Sequence, residues 1–430
     1  ASYTVMRRYI TDGYLPDDDS VRVEEYINFF EQDYTPPTED AFAIYVEGAP
    51  SPYVENYHLL RVGIQGYETD PELRDDVVLT FVIDVSGSMD RENRLELVKD
   101  SLHLLVDELR PTDRIGIVVY GSHARVILEP TAVQDRRTIL RAIQRLKPEG
   151  ATNAEQGLVT AYQMASTAFD PLATNRVILC SDGVANVGNT GPDSILQRIE
   201  AHADDGIYLT TVGFGMGNYN DVLMEQLADK GDGFYAYVDD IREAERIFVH
   251  QLPSTLQVIA RDAKIQVDFN PDVVSRYRLL GYENRDVADE DFRNDAVDAG
   301  EIGLGHSVTA LYEIKFHKAV ENDISQIPVL NVYLRWEDPD NHEIHETNKM
   351  MMLSDFVRNF SDTSPRFQLA VVVAQYAEVL RHSYWAKESR TSLNDIADQA
   401  RMIAGMLNYD QDVQEFAQLT AQSIELSSQQ

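Results

Sequence analysis

Four continuous apolar runs, separated by amphipathic helical segments, constrain the fold of this chain more than any other feature of its sequence. A run without polar alternation is typical of a strand covered on both faces, as in a parallel sheet. The runs are Val77–Ile83, Ile115–Tyr120, Val177–Cys180 and Ile207–Val212, with shorter candidates at Val126–Leu128 and Phe234–Val238. The helical segments are Arg94–Leu109, Arg136–Leu146, Asn153–Ala168, Ser194–Ala203, Tyr219–Ala228 and Arg242–Leu252. This alternation predicts a doubly wound α/β domain, with a mostly parallel six-stranded, Rossmann-like sheet.

Stretches of a different kind flank this domain on both sides. Ala41–Glu47 and His58–Gly66 precede it, and both alternate apolar with polar residues. After Pro253 the same texture returns in Ala263–Phe269, Ser275–Gly281, His306–Phe316, Val329–Trp336 and Glu343–Met352. Short alternating strands of this kind predict a β-sandwich. Because such strands lie on both sides, we expect the α/β domain to be inserted into one β domain.

Both ends of the chain have helical patterns. Near the start, apolar residues recur at helical spacing until Pro36 and Pro37 end the pattern: Val23, Tyr26, Ile27 and Phe30. From Ser354 onward we expect one helix with Phe367, Val371, Ala374 and Val379 on it, followed by two further helices.

The predicted domains follow from these patterns. They are an N-terminal helical extension at 1–40, a β-sandwich accessory domain at 41–75 plus 253–353, the α/β domain at 76–252 and a C-terminal helical segment at 354–430.

The charge of the chain limits its partners. There are 72 Asp and Glu against 37 Lys and Arg, a net charge of −35 at pH 7. Such a chain repels phosphate backbones and anionic lipid surfaces, so we expect no nucleic-acid partner. Most of the carboxylates are expected on a strongly solvated surface, as in a salt-adapted or exported protein.

The cysteine and the apolar stretches add two expectations. Cys180 is the single cysteine, so no internal disulfide can form, and its apolar run predicts a core residue. The longest apolar stretch, Leu369–Ala374, is too short to span a bilayer, so we expect no transmembrane segment. Since the chain starts at Ala1 without a Met, a targeting segment or lipid anchor upstream of residue 1 stays open.

A D-x-S-x-S motif, Asp84, Ser86 and Ser88, directly follows the first buried run. Open α/β sheets bind ligands beyond the carboxyl ends of their strands, where the strand order reverses. Asp182 lies directly after the strand predicted from the run Val177–Cys180, so its carboxylate converges with that of Asp84 if the two strands are neighbours. Thr152, in the loop before the intervening helix, can add a further hydroxyl from the side.

These five side chains offer only oxygen ligands. Hard oxygen ligands without His or Cys favour Mg²⁺, with Mn²⁺ or Ca²⁺ as alternatives. Two carboxylates and three neutral hydroxyls leave such an ion under-neutralised and with an open position. An Asp or Glu of a protein or peptide partner can then complete the coordination shell.

The motif and its order resemble the metal-ion-dependent adhesion site (MIDAS) of von Willebrand factor type A (VWA) domains. The wider chain resembles a bacterial family of VWA proteins with an N-terminal VWA-associated extension and a C-terminal domain of unknown function. This wider resemblance rests on Ser2–Thr4, Val21–Glu25, Gly213–Asp221 and Gly281–Arg285. It implies a role in adhesion, scaffolding or assembly, and an extracytoplasmic location, periplasmic or at the cell surface, in many members as a lipoprotein. The loop Ser181–Asn186 lacks the second acid that the family often places after the Gly, which affects rim contacts but not the metal ligands.

Simpler interpretations exist for each feature of the site. Asp84, Ser86 and Ser88 alone are compatible with a helix N-cap cluster, and Asp182-Gly183 alone with an ordinary turn. A second set of residues comprises Gly213, Gly215 and Gly217. They lack the Lys of a phosphate-binding loop, so a loop at the rim of the metal site is the better interpretation.

His342 and His345 raise the question of a zinc site. Three residues apart on a strand, they would point to opposite faces, so we expect solvated hairpin residues instead.

The leading functional hypothesis is therefore a cation-dependent binding module, not an enzyme. One alternative is a metal-dependent hydrolase, which needs a general base or a second metal that the sequence does not single out. Another is a scaffold subunit of an ATPase-driven assembly complex, as some VWA proteins are.

Overall fold

The structure is a computed structural model that describes residues 1–68, 74–183, 192–215, 221–254, 258–281, 302–318, 326–339 and 341–428. Its strands are β1 Phe42–Pro50, β2 His58–Gly66, β3 Asp76–Asp84, β4 Arg114–Tyr120, β5 Ala124–Ala132, β6 Ala173–Ser181, β7 Ile207–Phe214, β8 Tyr235–Val238, β9 Val258–Phe269, β10 Val274–Leu279, β11 Ile302–Gly303, β12 Ser307–Phe316, β13 Pro328–Glu337 and β14 Ile344–Met352.

The α-helices are α1 Ser2–Thr11, α2 Val23–Ile27, α3 Arg94–Glu108, α4 Arg136–Gln144, α5 Ala154–Ala168, α6 Pro192–Asp204, α7 Asp221–Asp229, α8 Ile241–Glu245, α9 Leu252–Ser254, α10 Pro365–Leu380, α11 Tyr384–Ser389, α12 Leu393–Met406 and α13 Gln411–Ser427. A π-helical segment, Arg246–Gln251, connects α8 to α9.

The chain forms two compact units. The first contains the chain between residues 69 and 259, and the second combines Ser2–Glu68 with most of the chain after Ala260.

A six-stranded sheet with the order β5-β4-β3-β6-β7-β8 forms the centre of the first unit. Every neighbouring pair is parallel except β4 and β5, which are antiparallel. One face packs Phe81 and Ile83 against the α3 residues Val98 and Leu102. The other face carries Val82 and packs against α5 and its neighbours. Because helices cover both faces, each central strand is apolar on both sides, and the α/β fold predicted from the apolar runs is confirmed.

The edge strand β5 is longer than the predicted run Val126–Leu128. It covers nine residues, of which only Leu128 is buried. An edge strand with little burial has no continuous apolar run, so the sequence pattern marked only its centre.

Two antiparallel sheets belong to the second unit. One has the order β1-β2-β12-β10 and so joins strands from both sides of the first unit in the sequence. The other contains β9, β13 and β14 side by side in that order. The sheets share one apolar core, in which Leu60 and Ile314 from the first meet Leu330 and Val332 from the second.

The helices at both ends of the chain share a second core of this unit. Tyr3 of α1 and Tyr26 of α2 pack in it with Tyr376 of α10 and Phe416 of α13. The apolar pattern from Val23 to Phe30 corresponds only to the five-residue α2, while α1 lies within the predicted helical extension at 1–40 but has no pattern that was singled out. The residues of α1 are rich in Tyr, Thr, Val and Ile, which have modest helix propensity, so burial rather than local preference stabilises it.

The expectation of two helices after α10 was wrong, because three are present. The additional one, α11, is six residues long. Ser383 caps its start through a hydrogen bond from the Ala386 N–H over 3.0 Å, and Arg390, with a φ of 54°, ends it. Such a short segment carries no recognisable periodicity.

Candidate metal site at the carboxyl edge of the central sheet

Asp84 is the last residue of β3, and its side chain is fully buried. The Ser86 N–H donates to Oδ1 over 2.7 Å, and the Ser181 hydroxyl donates to Oδ2 over 3.1 Å. Burial raises the pKa of the Asp84 carboxyl, and the nearby charge of Asp182 adds to the rise, while both hydrogen bonds oppose it. A nearby cation stabilises the charged form of a buried carboxylate whose pKa is raised in this way.

Ser86 and Ser88 lie in the turn that follows β3. Their hydroxyl oxygens are 2.9 Å apart, and Ser86 is buried while Ser88 is half-buried. Ser86 stands at the start of the short helical turn Gly87–Asn93, but its side chain makes no capping hydrogen bond there. The N-cap interpretation therefore does not account for this serine.

A second loop lies directly against this turn. The Gly87 N–H donates to the Gly150 carbonyl over 3.2 Å, and the Glu149 N–H donates to the Val85 carbonyl over 2.5 Å. Thr152, two residues beyond Gly150, is half-buried, and its hydroxyl has no hydrogen-bond partner among the described residues. The loop of Thr152 thus contacts the loop of the D-x-S-x-S motif.

Asp182 comes from a third loop, directly after β6. β6 is the parallel neighbour of β3, with Cys180 opposite Ile83, so the two strands end side by side. The Asp182 carboxylate is almost fully buried and accepts a hydrogen bond at Oδ2 from Arg94 Nη1 over 2.8 Å. The position of Asp182 after a buried run indicates this edge of the sheet, but neither that run nor the motif indicates its cationic partner Arg94.

The backbone of the Gly215 loop lies against Arg94. Gly215 has a φ of +79°, and a Cβ there would lie 2.2 Å from Arg94 Nε. Gly213 ends up inside β7, opposite Ser181, and Gly217 lies outside the described residues. Gly215 is therefore needed for close approach to a residue of the site, which agrees with the interpretation as a rim loop.

Tyr120 was also missed from the sequence. It ends β4, and its buried hydroxyl faces the side chains of Asp84 and Ser181 without a hydrogen bond of ordinary geometry to either. Burial raises the pKa of this phenol, and the charge of Asp84 raises it further. The hydroxyl therefore adds a further polar group beside the buried carboxylate of Asp84.

The ligand set suits a hard divalent cation. The described side chains supply two carboxylates, Asp84 and Asp182, and hydroxyls at Ser86, Ser88 and Thr152. Mg²⁺ prefers such oxygen donors and keeps several waters. Asp84 and Asp182 together carry two negative charges, and Arg94 offsets one of them. The residues present therefore fit a divalent ion.

The two histidines considered for a zinc site lie away from the candidate metal site. His342 is exposed in the turn before β14, with a φ of 59°, and His345 on β14 stacks on Trp336 at 5.5 Å between ring centroids. Among the described residues, no group of three or more His, Cys, Asp and Glu side chains has the geometry to hold a metal.

Cys180, predicted as a core residue, is fully buried, and burial raises the pKa of its thiol.

The decisive comparison is with the Escherichia coli (strain K12) protein described as "Uncharacterized protein YfbK". The two are 35% identical over 427 residues, which cover 93% of this chain and 73% of that protein. The chain belongs to the YfbK family of VWA proteins.

Three family models match this YfbK-family chain along its length. They are von Willebrand factor at 1–61, von Willebrand factor type A domain at 79–250 and the C-terminal model of YfbK at 254–426. The resemblance to bacterial VWA proteins with an N-terminal extension and a C-terminal domain is therefore confirmed.

More distant relatives agree on the fold. The protein sll0103 of Synechocystis sp. is 26% identical over 301 residues, covering 69% of this chain and 66% of that protein. The structure described as "von Willebrand factor type A from Catenulispora acidiphila" superposes with a TM-score of 0.52 at 17% identity, covering 88% of this chain and 89% of that one. That structural likeness shows the fold alone.

Membership of the family supports a protein-interaction or adhesion-type module. Among the described helices of this YfbK-family protein, none combines the length and apolar character that crossing a bilayer requires.

Proposed function

We propose that the α/β unit is a divalent-cation-dependent binding module that docks an acidic residue of a protein or peptide partner. Asp84, Ser86 and Ser88 would hold the ion from the first loop, Thr152 from the second and Asp182 from the third. The bound Mg²⁺ supplies a positive site for a carboxylate oxygen of the partner.

The observation that carries this proposal is the meeting of loops around Asp84. Its carboxylate is fully buried, yet it accepts a hydrogen bond from Ser181, which precedes Asp182, and its own loop contacts the loop of Thr152. The Ser86 N–H and the Ser181 hydroxyl fix the orientation of this carboxylate before any ion arrives. Such preorganisation favours binding because less conformational freedom is lost.

The first test is cation binding by the full chain. Mn²⁺ is titrated and followed by electron paramagnetic resonance, and Mg²⁺ is titrated by calorimetry, for the wild type and for Asp84→Asn. The matched control is Asp90→Asn, an exposed acid on the same turn. We expect Asp84→Asn to bind at least about tenfold more weakly and Asp90→Asn to bind like the wild type. Equal binding by all three proteins would contradict the metal site.

The second test is capture of a carboxylate. N-acetylaspartate α-methylamide is added to the Mn²⁺-loaded chain, and the relaxation of water protons reports how many waters stay on the ion. We expect a loss of bound water with this compound and none with N-acetylasparagine methylamide, which has no carboxylate. If neither compound changes the relaxation, the chain binds the metal but does not dock a carboxylate on it, and the docking part of the proposal is wrong.

We also propose an extracytoplasmic location, periplasmic or at the cell surface. The excess of acidic residues is compatible with the solvated surface of an exported protein. Cell fractionation followed by immunoblotting tests this, and recovery in the cytoplasmic fraction alone would contradict it.

A further inference from the structure

The second unit contains a cavity of about 580 Å³ beside strand β10. Its walls include Tyr277 and the neighbouring Phe269 on one side, and Tyr57 and Trp385 elsewhere. None of these residues belongs to the unit that carries the candidate metal site. The cavity is therefore a separate feature of the fold.

Aromatic rings give this cavity its apolar surface. Tyr277 is 59% exposed and stacks on Phe269 with 4.4 Å between the ring centroids. Trp385 is 40% exposed, and the Arg278 guanidinium lies over its ring at 4.4 Å. Exposed, preoriented rings in a concavity are typical of sites that take up an apolar or aromatic group.

Two cations beside these rings have no acidic partner among the residues that the structure describes. Arg276 is exposed and forms no ion pair or side-chain hydrogen bond in the described part of the chain. Lys315 lies opposite it across the β10–β12 pair, and its Nζ is 5.1 Å from the centroid of the Tyr57 ring. Lys315 also lacks an acidic partner among the described residues.

Arg278, two residues further along β10, differs because Glu313 and Glu378 both engage it. Its Nη1 is 3.1 Å from Glu378 Oε1, and its Nε is 3.8 Å from Glu313 Oε1. In a chain with 72 acidic and 37 basic residues, two cations beside one cavity that no described acid engages favour an anionic ligand.

The polar groups of the cavity argue against a sugar. Among the described lining residues, Ser275 has the only hydroxyl on an aliphatic side chain, and it already donates to the Lys315 carbonyl over 3.0 Å. Glu313 has the only carboxylate of these residues, and Arg278 engages it. None of them carries a side-chain amide. A sugar would bury hydroxyls without enough partners, whereas the carboxylate and aromatic side chains of a peptide match the two cations and the exposed rings.

We propose that this cavity binds an acidic peptide segment in which carboxylate and aromatic side chains alternate. A carboxylate pairs with Arg276 and Lys315, one aromatic side chain packs on Trp385, and another packs on Tyr277, which points to the opposite face of the edge strand β10. The site acts without the cation of the first unit.

The test uses the full chain in the presence of EDTA, so that docking on a metal does not contribute. The probes are fluorescein-labelled Glu-Phe-Glu-Phe, the basic peptide Lys-Phe-Lys-Phe and trigalacturonate as a competitor, with fluorescence anisotropy as the readout. The pocket variant is Arg276→Ser with Lys315→Ser. The matched control is Lys349→Ser with Arg358→Ser, which removes the same charge from two exposed positions outside the cavity.

We expect the acidic peptide to bind the wild type and the control equally, and the pocket variant at least about tenfold more weakly. Tyr277→Ser, which leaves all charges in place, should also weaken binding, and the basic peptide should not bind. Equal weakening in both double variants would reduce the effect to net charge and overturn the proposal. Displacement by trigalacturonate together with no effect of Tyr277→Ser would assign the site to an anionic sugar instead.

Discussion

Arg94 and Asp182 form a buried ion pair, with Nη1 and Oδ2 2.8 Å apart and the two side chains 4% and 7% exposed. The pair joins the start of α3 to the end of β6. The buried charges of Asp84, Asp182 and Arg94 sum to −1, while Glu92, 3.7 Å from Arg94 Nη2, is half exposed and screened by solvent. Binding of a divalent ion would raise the net charge of these buried groups and the ion to +1, which matches one carboxylate from a partner.

Replacement of Arg94 by Met should separate stability from cation binding. In the absence of metal, Asp182 would be buried without its counter-charge, and we expect the free energy of unfolding to fall by about 3 kcal/mol. The same loss of positive charge should raise the affinity for Mn²⁺ by roughly tenfold. Calorimetric unfolding with EDTA and with saturating Mn²⁺ measures both effects, and Mn²⁺ should recover more stability in the variant than in the wild type.

Arg94→Lys is the matched control, since it keeps the charge but not the planar guanidinium. It should bind Mn²⁺ with nearly the wild-type affinity. Weaker Mn²⁺ binding by Arg94→Met would mean that Arg94 positions Asp182 for the ion rather than competing with it.

Gly215→Ala should disturb the same pair from the other side. The residue has a φ of +79°, and the added Cβ would lie 2.2 Å from Arg94 Nε. We expect the free energy of unfolding to fall by about 1 to 3 kcal/mol. Urea unfolding followed by far-ultraviolet circular dichroism measures the loss. The double variant with Arg94→Ala should lose less than the sum of the two single variants, because truncation removes the Arg94 atoms Cγ, Cδ and Nε that the added Cβ would meet. Additive losses would contradict a clash with Arg94.

The apolar runs were sufficient to predict the α/β sheet, but not where its strands begin. β6 starts at Ala173, four residues before the apolar run at Val177. The run misses the start of the strand because Asn175 and Arg176 are polar. Both are buried and partnered, Arg176 by Thr210 Oγ1 over 2.8 Å, for example. Hydrogen-bond partners on a neighbouring strand allow such polar residues to be buried. A local sequence pattern cannot show these partners.

The candidate site likewise contains residues that the sequence indicates and residues that it does not. Asp84, Ser86 and Ser88 were visible because they form a local motif after a buried strand, and Asp182 because it follows another. Arg94 and Tyr120 were not, since their relation to the site exists only after α3 and β4 pack on β3. An arginine at the first position of an amphipathic helix that follows the motif is a usable signal, because on the apolar face it would be buried and a buried cation requires an acidic partner.

Asp113→Asn should destabilise the first unit without changing its cation site. The Asp113 carboxylate is fully buried at the amino end of β4, pairs with the Arg74 guanidinium, and accepts the Val77 and Arg110 N–H groups over 3.0 and 2.7 Å. Loss of its charge should lower the free energy of unfolding by about 3 kcal/mol, as measured by calorimetry. Because β3 and β4 are parallel, Asp113 lies at the opposite end of the sheet from Asp84. The affinity of the folded variant for Mn²⁺ should therefore equal that of the wild type, and a tenfold loss would show coupling between the two ends.

The second unit should lose stability in acid through His58. This ring lies at the start of β2, 4.6 Å from the ring of Phe316 and 5.9 Å from that of Phe356, and its Nδ1 is buried without a hydrogen-bond partner among the described residues. Burial lowers the pKa of His58 to about 4 from an ordinary value of 6.5. The folded state therefore binds fewer protons than the unfolded state between these two values, and stability rises with pH across that window.

His58→Phe should remove this dependence, since a phenyl ring packs against the same neighbours and binds no proton. From pH 7 to pH 4.5 we expect the variant to lose about 2 kcal/mol less of its free energy of unfolding than the wild type. Urea unfolding followed by tryptophan fluorescence suits the measurement, because Trp336 and Trp385 both lie in the second unit. His123→Asn, which replaces an exposed histidine of the first unit, should follow the wild-type curve. Parallel pH curves for the wild type and His58→Phe would rule out His58 as the source of the acid sensitivity.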